Sequence, residues 1–98
     1  MAQLIVKEAE QTFLVDLAPG ESLVVGRSHD CDVPVNAPRA SRRHAAFLTS
    51  DDGHAISDLD STNGTLLNGA PFQHDTPLSD GDVVDVGGCT ILYRVVAG

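Results

Sequence analysis

Paired turn-forming residues recur along this chain at short intervals. Each pair ends in glycine, which supplies the positive φ angle that tight turns need. Only short segments fit between such turns, and none has the length or the periodicity of a helix of three turns. The chain must therefore fold from short extended segments. The pairs are Pro19-Gly20, Asp52-Gly53, Asn63-Gly64, Asn68-Gly69, Asp80-Gly81 and Gly87-Gly88.

Several segments between these turns have the composition of β-strands. Phe13, Val15 and Leu17 alternate with other residues, and the segments 83–86 and 90–96 are rich in β-branched and aromatic residues. We predict an all-β fold, an antiparallel sandwich of two twisted sheets. Such a sandwich carries loops at its two ends, so residues distant in sequence can meet at one end and form a ligand site.

The length and composition suit one globular domain. The chain has 98 residues, of which 42% are apolar, so we expect a single domain over residues 1–98, whether alone or within a longer protein. No apolar run approaches the roughly 20 residues that span a membrane, and the first residues do not resemble a signal peptide, so we expect a cytoplasmic location. Cys31 and Cys89 match no zinc or redox spacing, and a disulfide is not expected.

The charge distribution limits the class of partner. The net charge is −8, which disfavours nucleic acids and anionic membranes as partners, because both are bound largely through neutralisation of phosphates. Four of the six basic residues nevertheless lie between positions 27 and 43. A local cationic patch on an acidic chain suits one compact anion better than a polyanion. These four residues are Arg27, Arg39, Arg42 and Arg43.

Three segments join a strand end to a polar, turn-forming loop: VVGRSHDCDVPV, PRASRRHAAF and ISDLDSTNGTLLNG. Their order and content resemble the forkhead-associated domain, whose pattern is Gly-Arg after a strand, then Ser-x-x-His, then Asn-Gly. The resemblance extends from about Leu23 to the end of the chain and implies a β-sandwich that binds phosphothreonine peptides through loops at one end. The matching residues are Gly26-Arg27, Ser41 to His44, and Asn63-Gly64.

The resemblance implies four phosphate ligands, whose chemistry fits that role. The planar guanidinium of Arg27 can donate two parallel charge-assisted hydrogen bonds to a phosphate. Ser41 offers a hydroxyl donor, Arg42 beside it a second charged donor, and Thr62 is the fourth expected ligand. Taken alone, a loop serine could equally cap its own backbone, and each arginine could be a solvated surface charge.

The remaining expected roles are to hold the peptide and to shape the loops. The resemblance assigns Asn63 to the main chain of the bound peptide, and Gly26, His44 and Gly64 to structural support of the site. Without that resemblance, Asn63-Gly64 would be read as an ordinary hairpin turn.

Two expectations depend on an extended backbone around Ser41. Neighbouring residues of an extended segment point to opposite sides, so Arg42 is expected to face the ligand and Arg43 to face away. Arg39, two positions before Ser41, is expected to reach the C-terminal part of the peptide. It would favour an acidic residue about three positions after the phosphothreonine.

Other chemistries compete for the same residues. A hydrolase built on Ser41 and His44 is disfavoured because no nucleophile-elbow pattern is present. A calcium loop starting at Asp58 fails because its sixth and twelfth positions are Asn63 and Gly69 instead of glycine and glutamate. We expect no metal and no cofactor.

The sequence therefore predicts a non-enzymatic phosphothreonine-peptide reader. Its partners would be proteins phosphorylated by serine/threonine kinases, in signalling. The alternative is a structural or oligomerisation module that keeps the same fold and makes phosphate-independent contacts.

Overall fold

The computed structural model describes residues 1–51 and 53–96, so the Asp52 position of one predicted turn lies outside the described residues. The described part contains strands, turns and bends, and no helix. The predicted all-β fold is confirmed. The strands are β1 Ala2–Lys7, β2 Thr12–Leu17, β3 Leu23–Gly26, β4 Val33–Pro34, β5 Ala45–Ser50, β6 Gly53–Asp58, β7 Thr65–Leu67, β8 Ala70–Pro71, β9 Thr76–Pro77, β10 Val83–Val86 and β11 Cys89–Val95.

The strands form two sheets that pack face to face. The six-stranded sheet has the order β2-β1-β11-β10-β7-β8, and the five-stranded sheet has the order β4-β3-β5-β6-β9. Neighbouring strands are antiparallel except β3 and β4, which pair in parallel. The chain crosses between the sheets four times, where β2 leads to β3, β6 to β7, β8 to β9 and β9 to β10. The crossing from β6 to β7 carries the Asn63-Gly64 pair.

Alternation along the strands places one face of each sheet in the core. In β1, Leu4 and Val6 are fully buried, while Ile5 between them points to the outer face and is half-buried. Phe47 of β5 and Ile56 of β6 are opposite each other in register and are also fully buried. Burying each such side chain contributes about 1.5–3 kcal/mol, which holds the two sheets together.

The strand register brings one set of loops to a common end of the sandwich. Ala45 at the start of β5 is opposite Val25 of β3 and Asp58 of β6. The end of β3, the start of β5 and the end of β6 therefore lie side by side. The loops that follow or precede them are the β3–β4, β4–β5 and β6–β7 loops, and we call this end the loop end.

Both cysteines are free thiols enclosed by the fold. The Cys31 thiol donates to the carbonyl oxygen of Arg42 at 3.0 Å, and burial raises its pKa. Burial, with Glu8 and Asp85 adding negative charge, raises the pKa of Cys89 to about 11. Both thiols therefore stay protonated and unreactive near neutral pH. In the described part of the chain, no helix is long and apolar enough to cross a membrane.

Replacing Phe47 with alanine should lower the free energy of unfolding by about 3–5 kcal/mol, because it leaves a cavity between the sheets. Leu14→Ala is the matched control, since Leu14 is 60% exposed and should cost less than about 0.5 kcal/mol. Urea unfolding of both variants measures the difference. Equal losses would contradict the assignment of Phe47 to the core.

Candidate functional site

A buried histidine joins the β4–β5 loop to the β6–β7 loop. His44 is 0% exposed and lies just before β5. Its Nδ1 accepts a hydrogen bond from the backbone N–H of Ser41 at 2.9 Å, and its Nε2 lies 2.8 Å from the carbonyl oxygen of Gly64. Because Nδ1 accepts, Nε2 must carry the proton and donate to Gly64. One imidazole ring thus fixes the positions of two loops.

Ser41 makes a second connection between the same two loops. Its Oγ accepts a hydrogen bond from the backbone N–H of Thr62 at 2.9 Å. The hydroxyl oxygen is used as an acceptor here, so its hydrogen remains free to donate to a ligand. Ser41 is half-buried and Thr62 is exposed, so the hydroxyl lies at the boundary between the loops and solvent.

The same contacts argue against a hydrolase. A catalytic serine needs its hydroxyl hydrogen-bonded to the histidine that removes its proton. Here both His44 nitrogens are engaged by backbone groups, and Nδ1 bonds the backbone N–H of Ser41 instead of its hydroxyl. The imidazole is therefore a structural link.

Arg27 is anchored by its backbone and by one side-chain nitrogen. Its backbone N–H donates to the carbonyl oxygen of Ser41 at 3.0 Å. The backbone N–H of the next residue, Ser28, donates to the carbonyl oxygen of Arg42 at 3.1 Å. Its Nε donates to the carbonyl oxygen of Ala40 at 3.1 Å, and the residue is exposed. The guanidinium is thus held at one edge, which leaves its two terminal nitrogens available for a ligand.

Glycines allow the loops to approach each other closely. A Cβ atom on Gly26 would overlap the carbonyl oxygen of Arg42, so only glycine lets β3 pass the β4–β5 loop at this distance. A Cβ on Gly87, in the β10–β11 turn, would likewise overlap the backbone nitrogen of Ala40. Gly64 has φ 77°, a conformation that favours glycine, and its carbonyl oxygen faces His44. Gly87 was not among the residues expected at the site.

The backbone around Ser41 is not extended, so that premise of the sequence analysis is wrong. Residues 38–43 form a turn and bends. The carbonyl oxygens of residues 37 and 39–42 accept hydrogen bonds from donors within the turn and in the β3–β4 and β6–β7 loops, and not from a neighbouring strand. The expected alternation of Arg42 and Arg43 therefore does not apply, and both are exposed. They differ in position: Arg42 lines a depression of about 350 Å³ together with Arg27, Ser28, His29 and Asp30, and Arg43 does not.

Asn63 and Arg39 are brought together by a backbone contact. Asn63 Nδ2 donates to the carbonyl oxygen of Arg39 at 2.8 Å. The Arg39 guanidinium lies over the β10–β11 turn, where a Cβ on Gly88 would be 3.1 Å from Nη2. Arg39 is exposed, so its charge stands on the rim of the loop end next to Asn63.

The arginines of the loop end are not neutralised by ion pairs. Within residues 1–51 and 53–96, one ion pair is present, between Arg94 and Asp80 at 3.2 Å. It lies near the C-terminal end of β11, away from the loop end. Arg27, Arg39, Arg42 and Arg43 have no such partner in that part of the chain. The loop end therefore keeps a local positive charge on a chain of net charge −8.

Asp58 supports the β6–β7 loop, a role that the sequence analysis did not assign. Its Oδ1 accepts hydrogen bonds from the hydroxyls of Ser61 and Thr65, the latter at 2.6 Å, and its Oδ2 accepts from Ser61 N–H at 3.2 Å. Burial raises the pKa of this carboxyl, but these hydrogen bonds outweigh burial and lower the pKa overall. The sequence signal that could have predicted this role is an aspartate followed three residues later by a serine, a common motif in which the carboxylate caps a loop.

Comparison with known families identifies the family to which this chain belongs. The family model of the FHA (forkhead-associated) domain matches residues 23–87. This chain belongs to the FHA domain family. The resemblance predicted from the three segments is confirmed, and FHA domains are binding modules rather than catalytic ones.

Curated relatives and a solved structure support this membership. The chain is 34% identical over 95 residues to an oxoglutarate dehydrogenase inhibitor of Corynebacterium jeikeium, covering 94% of this chain and 63% of that protein. It is 37% identical over 78 residues to the ABC transporter ATP-binding/permease protein Rv1747 of Mycobacterium tuberculosis, covering 80% of this chain and 9% of that protein.

A solved domain from a "structural and functional analysis of phosphothreonine-dependent FHA domain interactions" superposes on this chain with a TM-score of 0.83. It is 32% identical, and the match covers 99% of this chain and 98% of that chain. The FHA fold described above is therefore shared over its full extent with a solved FHA domain.

Asp58→Asn should destabilise the domain by about 1–3 kcal/mol at pH 7, because hydrogen bonds to a half-buried carboxylate are lost. The folded-state pKa of Asp58 lies below its usual 3.8, so its contribution is present above that pH and disappears as the pH falls through the lower value. The two proteins should converge in stability once the pH falls below this lowered pKa. Urea unfolding of both proteins at several pH values checks this prediction. Asp60→Asn is the control, because Asp60 is exposed and asparagine also adopts its positive φ angle of 55°.

Proposed function

We propose that this FHA domain is a phosphothreonine-peptide recognition module that recruits proteins phosphorylated by serine/threonine kinases. One observation carries the proposal: Arg27 and Arg42 line a single depression at the loop end, without ion-pair partners in the described part of the chain. A phosphate monoester carries close to two negative charges at pH 7 and accepts several hydrogen bonds, so it matches a site with two arginines.

The hydrogen-bond donors of the loop end support specific roles. In the proposed complex, the terminal nitrogens of Arg27 and the guanidinium of Arg42 bind phosphate oxygens. The free hydroxyl hydrogen of Ser41 gives a neutral donor to the same group, and Thr62, whose N–H is held by Ser41, supplies another hydroxyl. His44 fixes the backbone of the two loops that carry Ser41 and Thr62, which reduces the conformational entropy that these loops lose on binding.

Asn63 has the remaining role in this proposal. Its side chain uses one N–H on Arg39, which leaves its carbonyl oxygen and second N–H for the main chain of the peptide. Gly26, Gly64 and His44 contribute by fixing the loops. A small apolar niche for the threonine methyl would add about 1 kcal/mol, enough for several-fold selectivity over phosphoserine.

The relatives support binding as the activity but differ in what surrounds the domain. The solved FHA domain described above takes part in phosphothreonine-dependent interactions. This chain spans 63% of the inhibitor and 9% of the transporter, so the identity of the phosphorylated partner does not follow from either. We propose that residues 1–98 act as one non-catalytic module, in the cytoplasm, where Cys31 and Cys89 stay reduced.

The proposed function is tested by calorimetric titration with three matched peptides that contain phosphothreonine, phosphoserine or unmodified threonine. Preference for phosphothreonine supports the proposal. Equal binding of all three peptides would instead support a structural or oligomerisation module on the same fold. A peptide lacking phosphate should bind too weakly to measure, because the charge-assisted hydrogen bonds dominate the affinity.

Arg27→Ala should weaken phosphopeptide binding on the order of 100-fold, because two charge-assisted hydrogen bonds of about 1.5 kcal/mol or more each are lost. Its effect on folding should be small, since the side chain is exposed. Arg94→Ala, at the other end of the domain, is the matched control and should leave the affinity unchanged. Unchanged affinity in the Arg27 variant would refute its role.

Arg39 should favour an acidic residue about three positions after the phosphothreonine, because its charge is exposed and stands next to Asn63 on the rim. A peptide with aspartate at that position should bind several-fold more tightly than one with alanine, an effect expected of a partly exposed charge pair. The preference should disappear in Arg39→Ala and persist in Arg43→Ala. A preference that survives in Arg39→Ala would assign it to another residue.

A further inference from the structure

The edge strands of the two sheets differ in how well they are protected against pairing with another chain. In the described part of the chain, β2 and β8 are the edges of the six-stranded sheet, and β4 and β9 are the edges of the five-stranded sheet. An edge strand presents unpaired backbone N–H and C=O groups, and natural proteins block such edges with very short strands, prolines or lysines. β4, β8 and β9 have two residues each, and each contains a proline, so these three edges are blocked.

β2 has none of these protective features. It has six residues, TFLVDL, without proline or lysine. It pairs with β1 along its whole length, and no backbone hydrogen bond from the other described strands and loops reaches its outer side. Leu14, at the centre of the strand, is 60% exposed. β2 is therefore an open edge that carries an exposed apolar side chain.

The side chains on the outer face of β2 are complementary to themselves. Alternation along the strand places Thr12, Leu14 and Asp16 on this face, and all three are exposed. If β2 pairs antiparallel with β2 of a second copy and the pairing is centred on Leu14, the two Leu14 side chains are opposite each other. Thr12 of each copy is then opposite Asp16 of the other copy. The two leucines cover each other, and no two like charges are directly opposite.

Lys7 of β1 adds an attraction between charges to this pairing. It is exposed and directly opposite Thr12 in the register of β1 and β2. In the centred pairing, Asp16 of the second copy lies on the other side of Thr12, within reach of the long Lys7 side chain. Neither Lys7 nor Asp16 has an ion-pair partner among the residues that the structure describes. Asp16 accepts one hydrogen bond, from the Gln3 side chain at 3.2 Å, which leaves its second carboxylate oxygen available.

We propose that β2 is an interaction surface for a second copy of this chain, so that two copies pair β2 against β2 around a two-fold axis at Leu14. A second copy fits better than an unrelated strand, because two-fold symmetry repeats both the Lys7–Asp16 attraction and the apolar contact. The interface is small and each copy has a net charge of −8, so the dimer is weak and forms at high protein concentration. The pairing uses none of the arginines of the loop end and does not depend on phosphopeptide binding.

Sedimentation of the unmodified protein over a wide range of concentrations tests the proposal. At about 0.15 M salt the screening length is about 8 Å, so the overall repulsion between two acidic copies is largely suppressed. The mean mass should rise from that of a monomer towards that of a dimer and stop there, because a two-fold pairing closes the interface. A constant monomer mass, or growth beyond the dimer, would overturn the proposal.

Leu14→Lys should weaken dimerisation at least about ten-fold, because it removes the contact between the leucines and places two positive charges opposite each other. The substitution should not disturb the fold, since Leu14 is exposed. Val96→Lys is the matched control: it makes the same change of charge at an exposed apolar residue away from β2, and it should dimerise like the unmodified protein. A dimer that persists in Leu14→Lys is held by another surface and would refute the pairing.

Exchange of the two charges tests the register of the pairing. Lys7→Glu and Asp16→Lys should each weaken dimerisation several-fold, and the variant with both substitutions should recover it. Within one copy these residues are about 13 Å apart along the strands, so recovery reports a contact between copies. Failure of the double variant to recover would contradict the proposed register.

Hydrogen exchange measured by NMR locates the interface in the unmodified protein. At high concentration, the amide hydrogens of β2 that point away from β1 should exchange more slowly, because they become paired between copies. The amide hydrogens of β8, at the other edge of the same sheet, should exchange at the same rate at all concentrations. Protection that increases in another segment and not in β2 would place the contact elsewhere and overturn the proposal.

Discussion

The two hydrogen bonds of the His44 imidazole set the geometry on which the loop end depends. They connect Ser41 to Gly64, which belong to loops on different sides of the β5–β6 pair. The ring is fully buried, so no water competes for these bonds, and an unpaired nitrogen there would carry the full cost of desolvation. With the two loops joined, Ser41 can accept from Thr62 and still present its hydroxyl hydrogen outward.

Charge separation follows from the same arrangement. The Asp58 carboxylate is directed into the β6–β7 loop by the hydroxyls of Ser61 and Thr65, and it forms no ion pair with the arginines in the described part of the chain. Arg27 is held at one edge by the carbonyl oxygen of Ala40 and remains without an ionic partner in the described part of the chain. A domain that is acidic overall thus presents a group of arginines at one end, and this surface attracts a compact anion.

Much of the fold and part of the site could be predicted from the sequence, and particular residues show where prediction stopped. The family and the sandwich followed from short strands between glycine turns and from three loop motifs. The role of Asp58 did not, because its partners are hydroxyl groups whose positions depend on the loop conformation. The orientation expected for Arg42 and Arg43 rested on an extended backbone, and the loop contacts replace that backbone with a turn and bends.

The sequence by itself determined the positions of the glycine turns, the β-rich composition of several segments between them and the concentration of arginines between residues 27 and 43, because backbone preference and charge belong to each residue regardless of its neighbours in space. Only the tertiary structure decided which atoms meet across the sandwich. His44 contacts Gly64 from 20 residues away and His54 contacts Tyr93 from 39 residues away, and such pairs form only when two sheets pack in one register.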